Sequence, residues 1–305
     1  MGTMEKSDVL VVGTGAMACL FAARLSAAGL RVMILGTWTE GLQALSQQGV
    51  RMVDSEGSEQ IFPVQVTADP KACVGVNLAL LLVKAWQTEQ AGLRLAQCIG
   101  PDGLVLTLQN GDGNYEKLAH LLGTNRVALG ATTLGATLLG PGTVRPAGEG
   151  VITLGIHGRL KPMADLLGKA GFIVDTVTDI SSVQWGKLVI NAAINPLTAL
   201  LRIQNGELLT RPSARAVMTA AAREAAAVAI AKGVHLPFPD PVVAAESIAR
   251  RTAANYSSML QDVMRGAPTE IDFIAGAVVR AGEKTGVPVS VNRTLWLLIK
   301  AVNGR

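Results

Sequence analysis

The chain has 305 residues, 49% of them hydrophobic and only 16% charged, which is enough to bury one large core or two ordinary ones and excludes a disordered protein. Its net charge of +4 and pI of 9.1 come without a Lys/Arg run or a basic-aromatic cluster. That balance argues against nucleic acid as a partner and suits an anionic small ligand.

The first residues, MGTMEKS, carry Met4 close behind Met1 and read as a tag or lead. Next comes VLVV (9–12), a β-branched run, then the glycine turn GTGAMA, the apolar-periodic CLFAARLSAAG and the strand-like RVMILG. Strand, turn, helix and strand make a βαβ unit. Residues 50–66 read as two strands around a polar turn, an excursion from the main sheet. LALLLVKA (78–85) and LVLTLQNG (104–111) read as buried parallel strands, and VALGATT, GTVRPAG, VITLG and FIVDTV add short strands up to about residue 177. Beyond residue 178 the pattern turns helical and Ala/Leu-rich, over 179–201, 212–233, 239–264 and 269–285. The predicted organisation is therefore an α/β domain over 1–178 and an all-helical domain over 179–305.

Gly13, Thr14, Gly15, Ala16, Met17 and Ala18 fit G-x-G-x-x-G/A in the required place, between a strand and a helix. The first glycine allows the tight turn and the second lets the backbone approach a pyrophosphate. A small third residue lets helix and strand pack closely. The end of the second strand should separate NAD from NADP by an acid or an Arg, yet it reads Gly36-Thr37-Trp38-Thr39-Glu40 and decides neither. Lys84 and Asn110 each follow an apolar strand, where open α/β sheets bind ligands, although Asn110-Gly111 alone could be a plain turn.

In WGKLVINAAINPLTALL (185–201), Lys187, Asn191 and Asn195 recur every fourth position of an otherwise apolar helix. They share one face, either as a packing network or as the wall of a binding site. Pro196 predicts a kink where the stripe ends. Asn255 and Ser258 stand one helical turn apart, and Glu270 follows a GAP break; each alone could be a cap or a first-turn acid. His120, His157 and His235 have no metal-ligand spacing, so no metal is expected. Cys19, Cys73 and Cys98 fit neither a disulfide framework nor a zinc site. With no signal-peptide pattern and no run long enough for a bilayer, a cytoplasmic chain without a membrane partner is expected.

Across nearly its whole length the sequence resembles the 2-dehydropantoate 2-reductase (ketopantoate reductase) family of coenzyme A and pantothenate biosynthesis. The resemblance rests on GTGAMA, VKAWQ at Lys84, QNG at Asn110 and W-x-K-L-x-x-N-x-x-x-N-P-L-T-A at 185–199. NGEL at 205–208 and NYSSMLQD with the later TEID at 255–272 complete it. It implies a Rossmann-type dinucleotide-binding domain joined to a helical domain like the C-terminal domain of 6-phosphogluconate dehydrogenase. The implied activity is NADPH-dependent reduction of ketopantoate to pantoate, with NADH kept as an alternative cofactor.

Carried over by residue, the resemblance implies Lys187 as general acid; burial would lower its pKa, and a nearby Glu270 would oppose that shift and keep it protonated and oriented as its catalytic companion. Asn110, Asn191, Asn195, Asn205, Asn255 and Ser258 would contact substrate. Residues 13–18, Thr37, Lys84, Asn110, Ala136 and Glu270 would contact the dinucleotide. The departures are Ala18 where glycine is usual and Thr37 where an Arg often grips the 2′-phosphate. The expected partner is a small 2-keto acid, and the expected assembly a monomer or homodimer. The alternatives are a reductase of another branched 2-keto acid and a non-catalytic dinucleotide sensor.

Overall fold

The computed structural model describes residues 7–302 and Gly304; the MGTMEK lead lies outside them. The chain divides into two units, one of residues 7–109 and 114–180, the other of 110–113 and 181–304.

In the first unit, β1 (Val9–Val12), α1 (Ala16–Ala27) and β2 (Val32–Leu35) form the opening βαβ. Then come α2 (Thr39–Gln48), β3 (Val50–Val53), β4 (Glu59–Phe62), β5 (Gln65–Thr67) and β6 (Val76–Leu81). They are followed by α3 (Thr88–Leu95), β7 (Ile99–Thr107), α4 (Asn114–Leu122), β8 (Val127–Thr132), β9 (Ala136–Gly140) and β10 (Thr143–Pro146). Finally come β11 (Val151–Gly155), α5 (Lys161–Lys169) and β12 (Ile173–Val177). The main sheet has the order β12-β11-β8-β7-β6-β1-β2-β5 and is parallel except where β11 meets β8. β1 and β2 are fully buried, which is why both read as unbroken apolar runs. Strand order reverses between β1 and β6, the point at which open α/β sheets bind ligands.

The 50–66 excursion is a separate sheet of order β4-β3-β10-β9, in which β10 runs parallel to β3. Sequence alone does not reveal this, because a parallel partner some ninety residues away leaves no turn signal between the two strands.

The second unit packs α6 (Ile180–Leu201), α7 (Glu207–Thr210), α8 (Pro212–Ala231), α9 (Pro241–Arg251), α10 (Ser258–Met264), α11 (Ala275–Thr285) and α12 (Ser290–Val302) around one apolar cluster. α8 buries Ala221, Ala222, Ala225, Ala226 and Ala229, small side chains that let neighbouring helices approach closely. α6 continues through Pro196 to Leu201.

Two helix expectations need correction. The 239–264 segment is two helices, because Ser257 caps a new one by accepting from the Leu260 N–H at 3.1 Å. The 269–285 segment begins with a 3-10 turn (Ile271–Phe273), and α11 starts only at Ala275. α12, absent from the sequence reading, carries apolar side chains at helical spacing and buries Leu295 and Ile299.

Candidate active site

In the first unit the glycine fingerprint lies at the β1–α1 turn. Gly13 has φ +128°, and a Cβ there would stand 3.0 Å from the Leu82 carbonyl oxygen just beyond β6, so only glycine fits. At Gly15 a Cβ would meet no protein atom within 4 Å. Gly15 is also the N-cap of α1, with no side-chain cap on the first turn of the helix and open space beside its own Cα. That is the cradle a pyrophosphate requires. Thr14 and Ala18 are buried, and Ala16, Met17 and Ala136 pack against the same core.

Thr37 is exposed where β2 ends, and the Trp38 ring covers Gly41. Lys84 is half-buried beyond β6, and its N–H donates to Gln87 Oε1 at 3.3 Å. These residues line up on the carboxyl side of the sheet and fit a dinucleotide.

In the second unit, α6 carries Lys187, Asn191 and Asn195 along one side, with Val189 and Ala193 buried on the other. Asn195 is buried, while Lys187 and Asn191 are half-buried. Burial lowers the Lys187 pKa from 10.5 to about 8, and the Glu270 carboxylate opposes that shift. An amine in this position exists in both protonation states near neutrality and can exchange a proton.

Glu270 is buried at the start of the 271–273 turn. Asn110 Nδ2 donates to Glu270 Oε2 at 3.3 Å, a bond within the second unit, to which residues 110–113 belong. Gly111, at φ +87°, sits so close to Phe273 that a Cβ would lie 2.4 Å from its carbonyl oxygen. The Asp112 N–H donates to that same oxygen at 3.1 Å.

A second cluster brings Asn205 and Asn255 together. The Asn205 N–H donates to the Asn255 carbonyl at 3.0 Å, and Asn205 Nδ2 donates to Thr252 Oγ1 at 2.9 Å. Asn205 Oδ1 is buried and meets no donor among the described residues. An unsatisfied buried acceptor costs about 1–3 kcal/mol, which a ligand hydroxyl or N–H would relieve. Thr198 on α6 donates to Ser257 Oγ at 2.7 Å, fixing the cap of α10 against the Asn191–Asn195 end of α6.

Asn255 and Ser258 are exposed and do not share a helix: Asn255 lies in the loop before the cap, and Ser258 is the first residue of α10. This corrects the reading that placed them one turn apart on a single helix. Thr252, Ser257, Asp112 and Gln184 escape the sequence reading. Of these only Gln184 had a visible signal, since it extends the Lys187 stripe by one further turn.

Among the described residues no group of three or more His, Cys, Asp or Glu could hold a metal ion, and no helix is long and apolar enough to cross a membrane. The three cysteines are buried and unbridged, and burial pushes the Cys19 thiol up to about 12.

The family model described as "Ketopantoate reductase PanE/ApbA" matches residues 9–159, and that described as "Ketopantoate reductase PanE/ApbA C terminal" matches 179–303. The chain is 36% identical over 304 residues to a 2-dehydropantoate 2-reductase of Archaeoglobus fulgidus, covering 98% of this chain and 99% of that one. It superposes with a TM-score of 0.90 and 32% identity on a PanE/ApbA family ketopantoate reductase from Ralstonia eutropha, covering 97% and 98% of the two chains. D-mandelate dehydrogenase, solved with NADH and anilino(oxo)acetate, superposes with a TM-score of 0.91 at 27% identity, again covering 97% and 98%. The glycine cradle, the buried amine beside a carboxylate and these full-length similarities converge: the chain belongs to the ketopantoate reductase family of NAD(P)H-dependent oxidoreductases acting on a CH–OH group.

Proposed function

We propose that this chain reduces 2-dehydropantoate to pantoate with NADPH, a step of pantothenate and coenzyme A biosynthesis. The observation that carries the reading is the Lys187 amine, held near neutral pKa by burial against Glu270, on a helix that also presents Asn191 and Asn195.

Residues 1–178 would hold the dinucleotide and 179–305 the keto acid. Gly13, Thr14, Gly15, Ala16, Met17 and Ala18 would receive the pyrophosphate, with Thr37, Lys84, Asn110, Ala136 and Glu270 completing the cofactor's contacts. The nicotinamide, when bound, supplies the hydride. Reduction builds negative charge on the substrate carbonyl oxygen, and Lys187 donates a proton to that atom. Glu270 keeps Lys187 protonated and oriented. Asn110, Asn191, Asn195, Asn205, Asn255 and Ser258 bind the carboxylate and hydroxyl without adding charge that would compete with Lys187.

One observation favours a second reading. The similarity to D-mandelate dehydrogenase is as close in fold as that to the ketopantoate reductase, and Thr37 offers no cation for a 2′-phosphate. A reductase of another 2-keto acid, working with NADH, would have both properties. A panel of 2-keto acids assayed with NADPH and with NADH separates the two. The proposal predicts the highest kcat/KM for ketopantoate with NADPH; a higher value for an aryl keto acid or with NADH would replace it by the second reading.

A further inference from the structure

In the catalytic pair proposed above, the carboxylate is bonded to a residue far away in sequence. Glu270 lies in a short turn, and its carboxylate accepts from Asn110, a residue of a loop that arrives from between β7 and α4. What fixes that loop therefore helps to fix the carboxylate beside Lys187.

Three contacts fix it. Gln184 on α6, one turn before Lys187, donates from Nε2 to the Gly111 carbonyl at 3.1 Å. The Asp112 N–H donates to the Phe273 carbonyl at 3.1 Å, joining the loop to the Glu270 turn itself. Asp112 Oδ2 pairs with Lys232 Nζ at 3.7 Å, and that ammonium stands 4.7 Å from the centre of the buried Trp185 ring. Gly111 admits this approach only because it lacks a Cβ. Of these contacts, the one from Gln184 comes from the helix that also carries the proposed acid. Gln184 thus joins the loop to the helix that carries Lys187, while the Asp112 N–H joins it to the turn.

We infer that Gln184 is a positioning residue: through the Gly111 carbonyl it holds the Asn110 loop so that Asn110 orients Glu270 toward Lys187. The inference rests on the proposed roles of Lys187 and Glu270. Gln184 contacts no reacting atom in this account and acts only through the loop. The charged groups that loop, turn and neighbouring helices bring to this region include Lys187, Glu270, Asp112, Lys232, Asp272, Arg280 and Lys300. Asp112 and Lys232 pair with each other, and Asp272 is engaged by Trp296 and Lys300.

The test is a double-mutant cycle on the full chain with NADPH and ketopantoate, using Gln184→Met, which keeps length and helix propensity but removes the donor, and Glu270→Gln. The inference predicts that Gln184→Met lowers kcat about 10-fold, leaves the KM for NADPH unchanged, and moves the alkaline limb of the kcat–pH profile. In the Glu270→Gln background the same substitution should change kcat less than twofold. Gln184→His, whose ring N–H can donate to the same carbonyl, should recover part of the lost rate. A wild-type kcat and pH profile in Gln184→Met would overturn the inference, and so would equal losses in both backgrounds. A Gln184→Met protein that melts well below wild type at saturating NADPH would assign the residue to folding instead, which also overturns it. Glu270→Gln and Lys187→Ala are measured alongside. If they keep wild-type rates, the proposed function fails separately from the inference.

Discussion

Asn110 and Glu270 lie 160 positions apart in sequence and meet in one hydrogen bond of 3.3 Å. The bond gives the buried carboxylate a neutral donor on one side, while its charge acts on the Lys187 amine and keeps that pKa from falling further than about 8. As a general acid Lys187 must be protonated, so keto-acid reduction should decline above about pH 8. Oxidation of the hydroxy acid needs the neutral amine and should rise through the same range. In Glu270→Gln the carboxylate no longer raises the lysine pKa. The alkaline limb of kcat for reduction should therefore begin at lower pH, by on the order of one unit. A limb that stays in place in Glu270→Gln would disprove the coupling.

The same amine makes a prediction about stability. Lys187 holds its proton up to about 10.5 when unfolded but only to about 8 when folded. Between those values the unfolded chain binds more protons, so stability must rise with pH. Denaturant unfolding of wild type and Lys187→Met at pH 8 and pH 10 should show wild type gaining ~2 kcal/mol relative to the variant. Parallel pH dependences would mean that the lysine is not desolvated in the folded protein.

Asn205 presents a buried Oδ1 with no donor among the described residues. If substrate supplies the missing donor, Asn205→Ala should raise the KM for ketopantoate by about 10-fold, the equivalent of one hydrogen bond. The dissociation constant of NADPH should not change. Steady-state kinetics and fluorescence titration separate the two effects.

Thr37 stands exposed at the end of β2, where a cation would meet a 2′-phosphate. Thr37→Arg should tighten NADPH binding by about 10-fold through a charge-assisted contact and leave NADH binding as it is. Equal changes for both cofactors would place the adenosine ribose elsewhere.

Much of this was legible in the sequence, because it is local. The strand–glycine turn–helix of 9–27 declares itself by a β-branched run, two glycines and a following apolar period. The Lys187–Asn191–Asn195 stripe is visible because helical geometry places every fourth residue on one face. What could not be read is what depends on distant partners. Nothing near Asn110 announces that residues 110–113 leave the sheet unit to pack with the helices. Nothing near Thr143 foretells a parallel pairing with Arg51. The break at 252–257 was hidden because Ser257 and Ser258 look alike in sequence, and only their backbone positions make one of them a cap.

The central claim is that Lys187 gives the proton that accompanies hydride transfer to a 2-keto acid. The most direct test is kcat for ketopantoate reduction in Lys187→Ala, with NADPH binding followed in the same preparation by fluorescence. Loss of a general acid predicts a fall of ~10²–10⁴-fold with cofactor affinity intact; wild-type turnover in Lys187→Ala would contradict the account.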